Sequence, residues 1–279
     1  MKKTAYLASF IFLSAMLAAV LSIILSADKN SAKEEEKHSD LLIVETEESL
    51  FENEPEAEGA EKSELLLPDL QIEKLKDVYI EIGSDGKKFL RFPGTFANRG
   101  DGPLELEGTR AIDIQKVRAM QNIYKKDKTM EKRFVGDFVF HPDHNHWHFE
   151  NFVEFGIYAL KNDSEPDQKL AGTGKLTFCI HDYAPLPENL PGKPDKAVYP
   201  WCDNYADIQG ISVGWADTYV AEIPGQEIDI TGIPDGKYAF RASIDPENLI
   251  MEKVEDNNFS FSLIEISGNN ARIISDPPL

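Results

Sequence analysis

An antiparallel β-sandwich with long loops and little helix is the fold class that this 279-residue sequence predicts. Three observations lead there. Short runs of β-branched, aromatic and alternating residues recur beyond Pro68, clusters of Asp, Gly, Pro and Asn separate them, and only one stretch has the composition of a helix.

Taken in order, VYIEIGSDGKKFLRF (residues 78–92) reads as a hairpin turning at Ser84-Asp85-Gly86. TRAIDIQKVRAMQNIYKK, around residues 109–126, is the helix-capable stretch. The strand candidates are FVEFGIYAL from Phe152, KLTFCI from Lys175, DTYVAEI from Asp217, EIDI from Glu227, KYAFRASI from Lys237 and FSFSLIEI from Phe259. Pro234-Asp235-Gly236 is read as closing a second hairpin. No internal repeat emerges.

The chain opens with two lysines followed by an uncharged, mostly apolar stretch from Ala5 to Ser26. Residues 1–27 therefore read as an export signal, either cleaved or retained as an N-terminal membrane anchor. Both versions put the rest of the chain outside the cytoplasm, secreted or held at the membrane through this segment alone. Residues 28–66 carry 14 Asp or Glu against 4 Lys and one aromatic residue, Phe51, a composition that cannot bury enough surface to order itself. They are expected to be an acidic, disordered linker. Residues 67–279 remain as one sizeable domain and hold −12 of the net charge of −20, which speaks against a nucleic-acid partner. With export, Cys179 and Cys202 are expected to pair, worth about 3 kcal/mol in the chain-entropy model, with two free thiols as the alternative.

The stretch HPDHNHWH, His141 to His148, holds four of the six histidines. On a helix His146 would point about 160° away from His144 and His148, whereas on a strand all three share a face. The outer two Cα atoms would then lie roughly 13 Å apart, so a strand must curve or bulge for three imidazoles to meet one ion. Three neutral imidazoles suit copper(II), with zinc a close rival, and His141 could be a fourth ligand or a donor behind the ligands. Such a site serves Lewis-acid hydrolysis, oxygen chemistry or simple metal holding equally well.

From His141 to Asn258 the chain resembles the lysyl oxidase family in five ordered blocks. These are His141-Pro142-Asp143-His144-Asn145-His146-Trp147-His148; Gly172 with Gly174-Lys175-Leu176-Thr177-Phe178-Cys179; Gln209-Gly210-Ile211-Ser212-Val213-Gly214 with Asp217-Thr218-Tyr219; Gln226-Glu227-Ile228-Asp229-Ile230-Thr231; and Asp245-Pro246 with Glu252 and Asn257-Asn258. The resemblance implies copper held by His144, His146 and His148. It also implies a lysyl tyrosylquinone built from Lys175 and Tyr219 with O2, and oxidation of a primary amine or peptidyl lysine to an aldehyde with release of ammonia and peroxide. Alone, Tyr219 reads as a core or edge-strand tyrosine and Lys175 as a solvated strand lysine; only their place in the blocks changes that. Asp217, two residues from Tyr219 and so on the same strand face, is the candidate base, although it would equally serve to cap a turn. Asp182 and His181 are further polar candidates.

The chain departs from the family at Asp143, where animal members carry a cysteine, and at Phe152-Val153-Glu154-Phe155, where the family shows a histidine. Cys179 matches a family cysteine and Cys202 matches only loosely, so their pairing rests on export and count. The proline-rich segment from Ala184 to Pro200 is expected to wall a pocket. Two other readings compete: a tethered, non-catalytic copper- or zinc-binding domain, and a zinc hydrolase with Glu150 or Asp143 as base. Only the oxidase needs the Lys175 and Tyr219 pair.

Overall fold

The computed structural model describes residues 64–108, 116–143, 145–202 and 208–275, with the backbone but not the side chain of Lys175. The readings of the N-terminal segment and of residues 28–63 of the expected 28–66 linker lie outside the described residues, but the end of that linker, Leu65–Leu66, is a strand paired within the domain's large sheet and not disordered chain. Among the described residues no helix is long and apolar enough to cross a membrane.

The strands in chain order are β1 (Leu65–Leu66), β2 (Leu70–Ile72), β3 (Tyr79–Ile82), β4 (Lys88–Arg91), β5 (Gly94–Asn98), β6 (Leu104–Gly108), β7 (Lys116–Lys125), β8 (Met130–His141) and β9 (His146–Lys161). They continue with β10 (Glu165–Phe178), β11 (Ala184–Pro185), β12 (Ile208–Ile211), β13 (Trp215–Tyr219), β14 (Glu227–Asp229), β15 (Gly236–Ile244), β16 (Phe259–Ser267) and β17 (Asn270–Ser275). A large antiparallel sheet runs β12-β6-β7-β8-β9-β15-β16-β17, with β10 paired to β9 and β1 to β7. Two small sheets, β11-β13-β5-β2 and β14-β4-β3, complete the β architecture that the sequence predicts.

Aromatic side chains join the small sheets to the large one. Phe96 of β5 meets Phe152 of β9 edge-on at 5.4 Å and Phe178 of β10 at 5.8 Å. Phe92, between β4 and β5, lies 4.6 Å from Phe155 and 4.7 Å from Phe240. Phe92, Phe96 and Phe152 are fully buried, so each contributes its large apolar area, and the tilted pairs add roughly 0.5–1.5 kcal/mol apiece.

β9 organises the site because it pairs with three strands. It meets β8 over His146–Phe149 and β15 over Val153–Tyr158, while β10 runs beside it from Lys161 back to Phe149. Asn151, at φ 56°, lies where β9 passes from β8 to β15. The first hairpin forms as read, between β3 and β4, with Gly86 at φ 82° and a hydrogen bond from the Gly83 N–H to the Lys87 carbonyl at 2.9 Å.

Three expectations are corrected. Residues 116–125 of the helix-capable stretch form β7, hydrogen-bonded to β6 and β8; residues 109–115 are outside the described part. Val117, Ala119 and Ile123 fall on the buried face at strand spacing, and pairing along both edges overrides a helix propensity of a few tenths of a kcal/mol per residue. Pro234-Asp235-Gly236 closes no hairpin either. β14 before it pairs with β4, and β15 after it pairs with β9 and β16, so this turn carries the chain from one sheet to another. DTYVAEI also ends as a strand at Tyr219, beyond which Ile223 and Gln226 donate to Val220 and Ile223 in successive turns.

Candidate functional site

The histidine stretch is a β-hairpin. His141 and His146 are its closing pair, and the Asn145 N–H donates to the His141 carbonyl at 2.9 Å. Asn145 has φ 56°, the left-handed region that asparagine tolerates better than most side chains. His146 and His148 then occupy alternate positions of β9 and share a face, with Nε2 atoms 3.0 Å apart. The His141 ring stacks on His148 across the strands at 4.8 Å. Two nitrogens each about 2.0 Å from one ion, at a right or tetrahedral angle, lie roughly 2.8–3.3 Å apart, so this pair fits a shared metal. Thr177 Oγ1 is 3.5 Å from His148 Nδ1, on the side that a ligand bound through Nε2 leaves as N–H. His144 lies outside the described residues, and among those described no group of three His, Cys, Asp or Glu is placed to hold a metal. The hairpin turn just ahead of His146 changes the chain's direction, a role the sequence reading gave to a curved strand or a bulge.

Tyr219 ends β13, where it pairs with Gly94 of β5. Its ring packs on Phe178, centroids 4.2 Å apart, and its hydroxyl donates to the Cys179 carbonyl. Burial raises the phenol well above its usual value, and the nearby Asp217 carboxyl adds to the rise. A disulfide joins Cys179 to Cys202, as expected, with Cα atoms 6.0 Å apart, and so fixes the segment that holds the Tyr219 hydroxyl. β10 supplies Phe178, leads into Cys179, and carries Lys175 three residues earlier, opposite Glu154 of β9.

Asp217 shares the inner face of β13 with Tyr219 and is 0% exposed. Its Oδ2 accepts the His181 backbone N–H at 3.3 Å, and His181 Nε2 lies 3.5 Å from its Oδ1. Burial pushes the carboxyl well above the carboxylate range, against hydrogen bonds from the His181 and Thr218 backbones. Burial also lowers the His181 imidazole, with Asp182 opposing.

Asp182 has a different task. Its Oδ2 accepts from Val198 N–H (2.8 Å), Tyr199 N–H (3.2 Å) and Ser212 Oγ (2.7 Å), and its Oδ1 accepts from Ser212 N–H (2.7 Å), which pins the proline-rich segment to the strand region before β13. Glu150 is paired with Lys116 at 2.5 Å. Tyr183, Pro185 and Pro187 line a cavity of about 480 Å³ together with Thr218, whose side chain alternates to the face of β13 opposite Asp217 and Tyr219.

The lysyl oxidase family model matches residues 110–275, more than half of the chain. The chain belongs to the lysyl oxidase family. Among curated relatives, protein-lysine 6-oxidase of Gallus gallus is 33% identical over 126 residues, covering 45% of this chain and 28% of that protein. The Sus scrofa protein-lysine 6-oxidase is 31% identical over 126 residues, 45% of this chain and 47% of that protein. Lysyl oxidase homolog 4 of Homo sapiens is 29% identical over 145 residues, 51% of this chain and 18% of that protein. The chain thus spans less than half the length of each of these lysyl oxidases.

Several residues that build this lysyl oxidase-family site carried no distinct signal in the sequence. Phe178 and Thr177 lie inside the Lys175-to-Cys179 block, yet only their contacts with Tyr219 and His148 give them a role. Gln209 was visible as a block residue. Its buried amide donates to the Trp147 carbonyl at 2.6 Å and accepts from the Ile180 N–H at 2.9 Å, tying the histidine strand to the segment after the disulfide.

Proposed function

We propose that this lysyl oxidase-family chain is a copper-dependent amine oxidase. It would oxidise a primary amine, free or as peptidyl lysine, to an aldehyde with O2, releasing ammonia and peroxide, and use a lysyl tyrosylquinone made from Lys175 and Tyr219. The observation that carries the reading is the convergence on Tyr219. A wholly buried carboxyl, Asp217, shares its strand face, and Phe178, three residues beyond Lys175, packs against its ring.

Copper, held by His144, His146 and His148, would supply one-electron chemistry with O2, and the cross-linked quinone a carbonyl electrophile for the amine. The chain's own residues do the rest. The Cys179 carbonyl and the Phe178 ring orient Tyr219. Asp217 takes the proton from the amine's α-carbon, since a desolvated carboxyl with a raised pKa is the stronger base once ionised. The buried rings of Phe96 and Phe178 pack against one face of the partly buried Tyr219 region, Phe178 directly on its ring. The reading assigns catalysis to the domain from β1 onward, held outside the cytoplasm by segment 1–27 and the acidic stretch that follows it, and the disulfide supports an oxidising compartment.

Intact mass followed by peptide mapping, on chain expressed with copper and exposed to air, tests it. A covalent link between the Lys175 and Tyr219 peptides with a quinone's oxygen gain and hydrogen loss is expected. Separate, unmodified peptides from copper-loaded protein would leave only a metal-binding domain.

A further inference from the structure

Gln226, just ahead of β14, is a buried polar residue that neither the fold nor the steps above employ. It is 0% exposed, and among the described residues neither Oε1 nor Nε2 of its side chain has a hydrogen-bond partner. Its backbone is satisfied: the N–H donates to Ile223 at 3.1 Å and the carbonyl accepts from Phe92 at 3.3 Å. An enclosed, unsatisfied amide costs about 1–3 kcal/mol, and an apolar side chain of the same shape would avoid that cost.

The amide points toward Tyr219's partner. Oε1 lies 3.3 Å from where a Cβ on Gly94 would stand, beside the ring tips of Phe155 at 3.0 Å and Phe96 at 3.2 Å. Gly94 pairs directly with Tyr219, and directly opposed residues direct their side chains to the same sheet face. The absence of a side chain at Gly94 therefore lets the Gln226 amide, with the Phe155 and Phe96 rings, close in on the residue that pairs with Tyr219. β14, which follows Gln226, packs against β10, the strand of Lys175.

We propose that Gln226 is a positioning residue whose amide hydrogen-bonds to a ring oxygen that Tyr219 acquires when it is oxidised. The inference rests on the functional reading above. Unmodified Tyr219 has one oxygen, already bonded to the Cys179 carbonyl, which is consistent with an amide that among the described residues has no partner in the precursor.

Gln226→Met and Gln226→Leu, made in the full chain, test this by two readouts. In metal-free protein the urea midpoint is expected to stay level or rise, because an orphan amide is removed. After copper loading in air, the cross-link is expected to form about tenfold more slowly, the loss of one hydrogen bond of about 1.4 kcal/mol, and the quinone's visible absorption maximum to shift. Variants that unfold earlier than wild type while their cross-link rate and spectrum match it would make Gln226 a fold residue and overturn the assignment alone. A wild-type chain that forms no cross-link overturns the functional reading, and this assignment with it.

Discussion

His181 Nε2 lies 3.5 Å from Oδ1 of Asp217, a carboxyl with no exposure to solvent. The two share a boundary: His181 keeps 24% of its side chain accessible, while Asp217 faces Tyr219. Burial favours the neutral form of each, so acid and imidazole both resist charging, with Asp182 and Tyr219 the other titratable groups nearby.

A carboxyl held protonated acts as a base only after it ionises. Amine oxidation is therefore expected to rise with pH as this carboxyl ionises, measured as kcat/KM. Asp217→Asn should lower it by at least about 100-fold and remove the rise. The same shift enters stability. Unfolded, Asp217 ionises near 3.8; folded, it keeps its proton well above that, so the folded chain binds more protons over the interval. Raising the pH from about 3.8 toward the folded value therefore lowers stability, and Asp217→Asn should flatten that decline in urea titrations at stepped pH. A variant with the wild-type slope would place the carboxyl's titration in the ordinary range.

Tyr219→Phe is expected to abolish quinone and amine-dependent peroxide while leaving copper binding intact. The fold should lose about 1 kcal/mol with the hydrogen bond to the Cys179 carbonyl. Peroxide assays and copper titration on one preparation check both parts; undiminished turnover would end the oxidase reading.

His146→Ala removes one of two Nε2 atoms 3.0 Å apart and should lose both metal and cross-link. In the wild type, chelation should lower thermal stability. A metal at 100 times its dissociation constant contributes about 2.7 kcal/mol, visible as a drop in Tm that the variant does not show.

Cys202→Ser opens the link that fixes Cys179, the residue whose carbonyl holds Tyr219. A loss of about 3 kcal/mol is expected from the chain-entropy model, read by urea unfolding. Cross-link yield should fall even under conditions where the variant stays folded, because Tyr219 is then less firmly oriented.

What could be read from the chain's residues alone is local. Alternating runs and turn clusters made the β class legible, and Ser84-Asp85-Gly86 located a hairpin, because strand periodicity and turn chemistry act over a few residues. His146 and His148 were readable as strand neighbours for the same reason, and the ordered blocks brought Lys175, Asp217 and Tyr219 to notice. Residues 116–125 misled because helix propensity is weak beside pairing on both strand edges, and Pro234-Asp235-Gly236 misled because a turn does not state which sheet its strands will join. Long-range packing sets β10 along β9, so that Thr177 meets His148 while Phe178 meets Tyr219, and brings the Gln226 amide close to Gly94. Those contacts join residues tens to more than a hundred positions apart, and burial in a common core, which no short stretch encodes, is what brings them together.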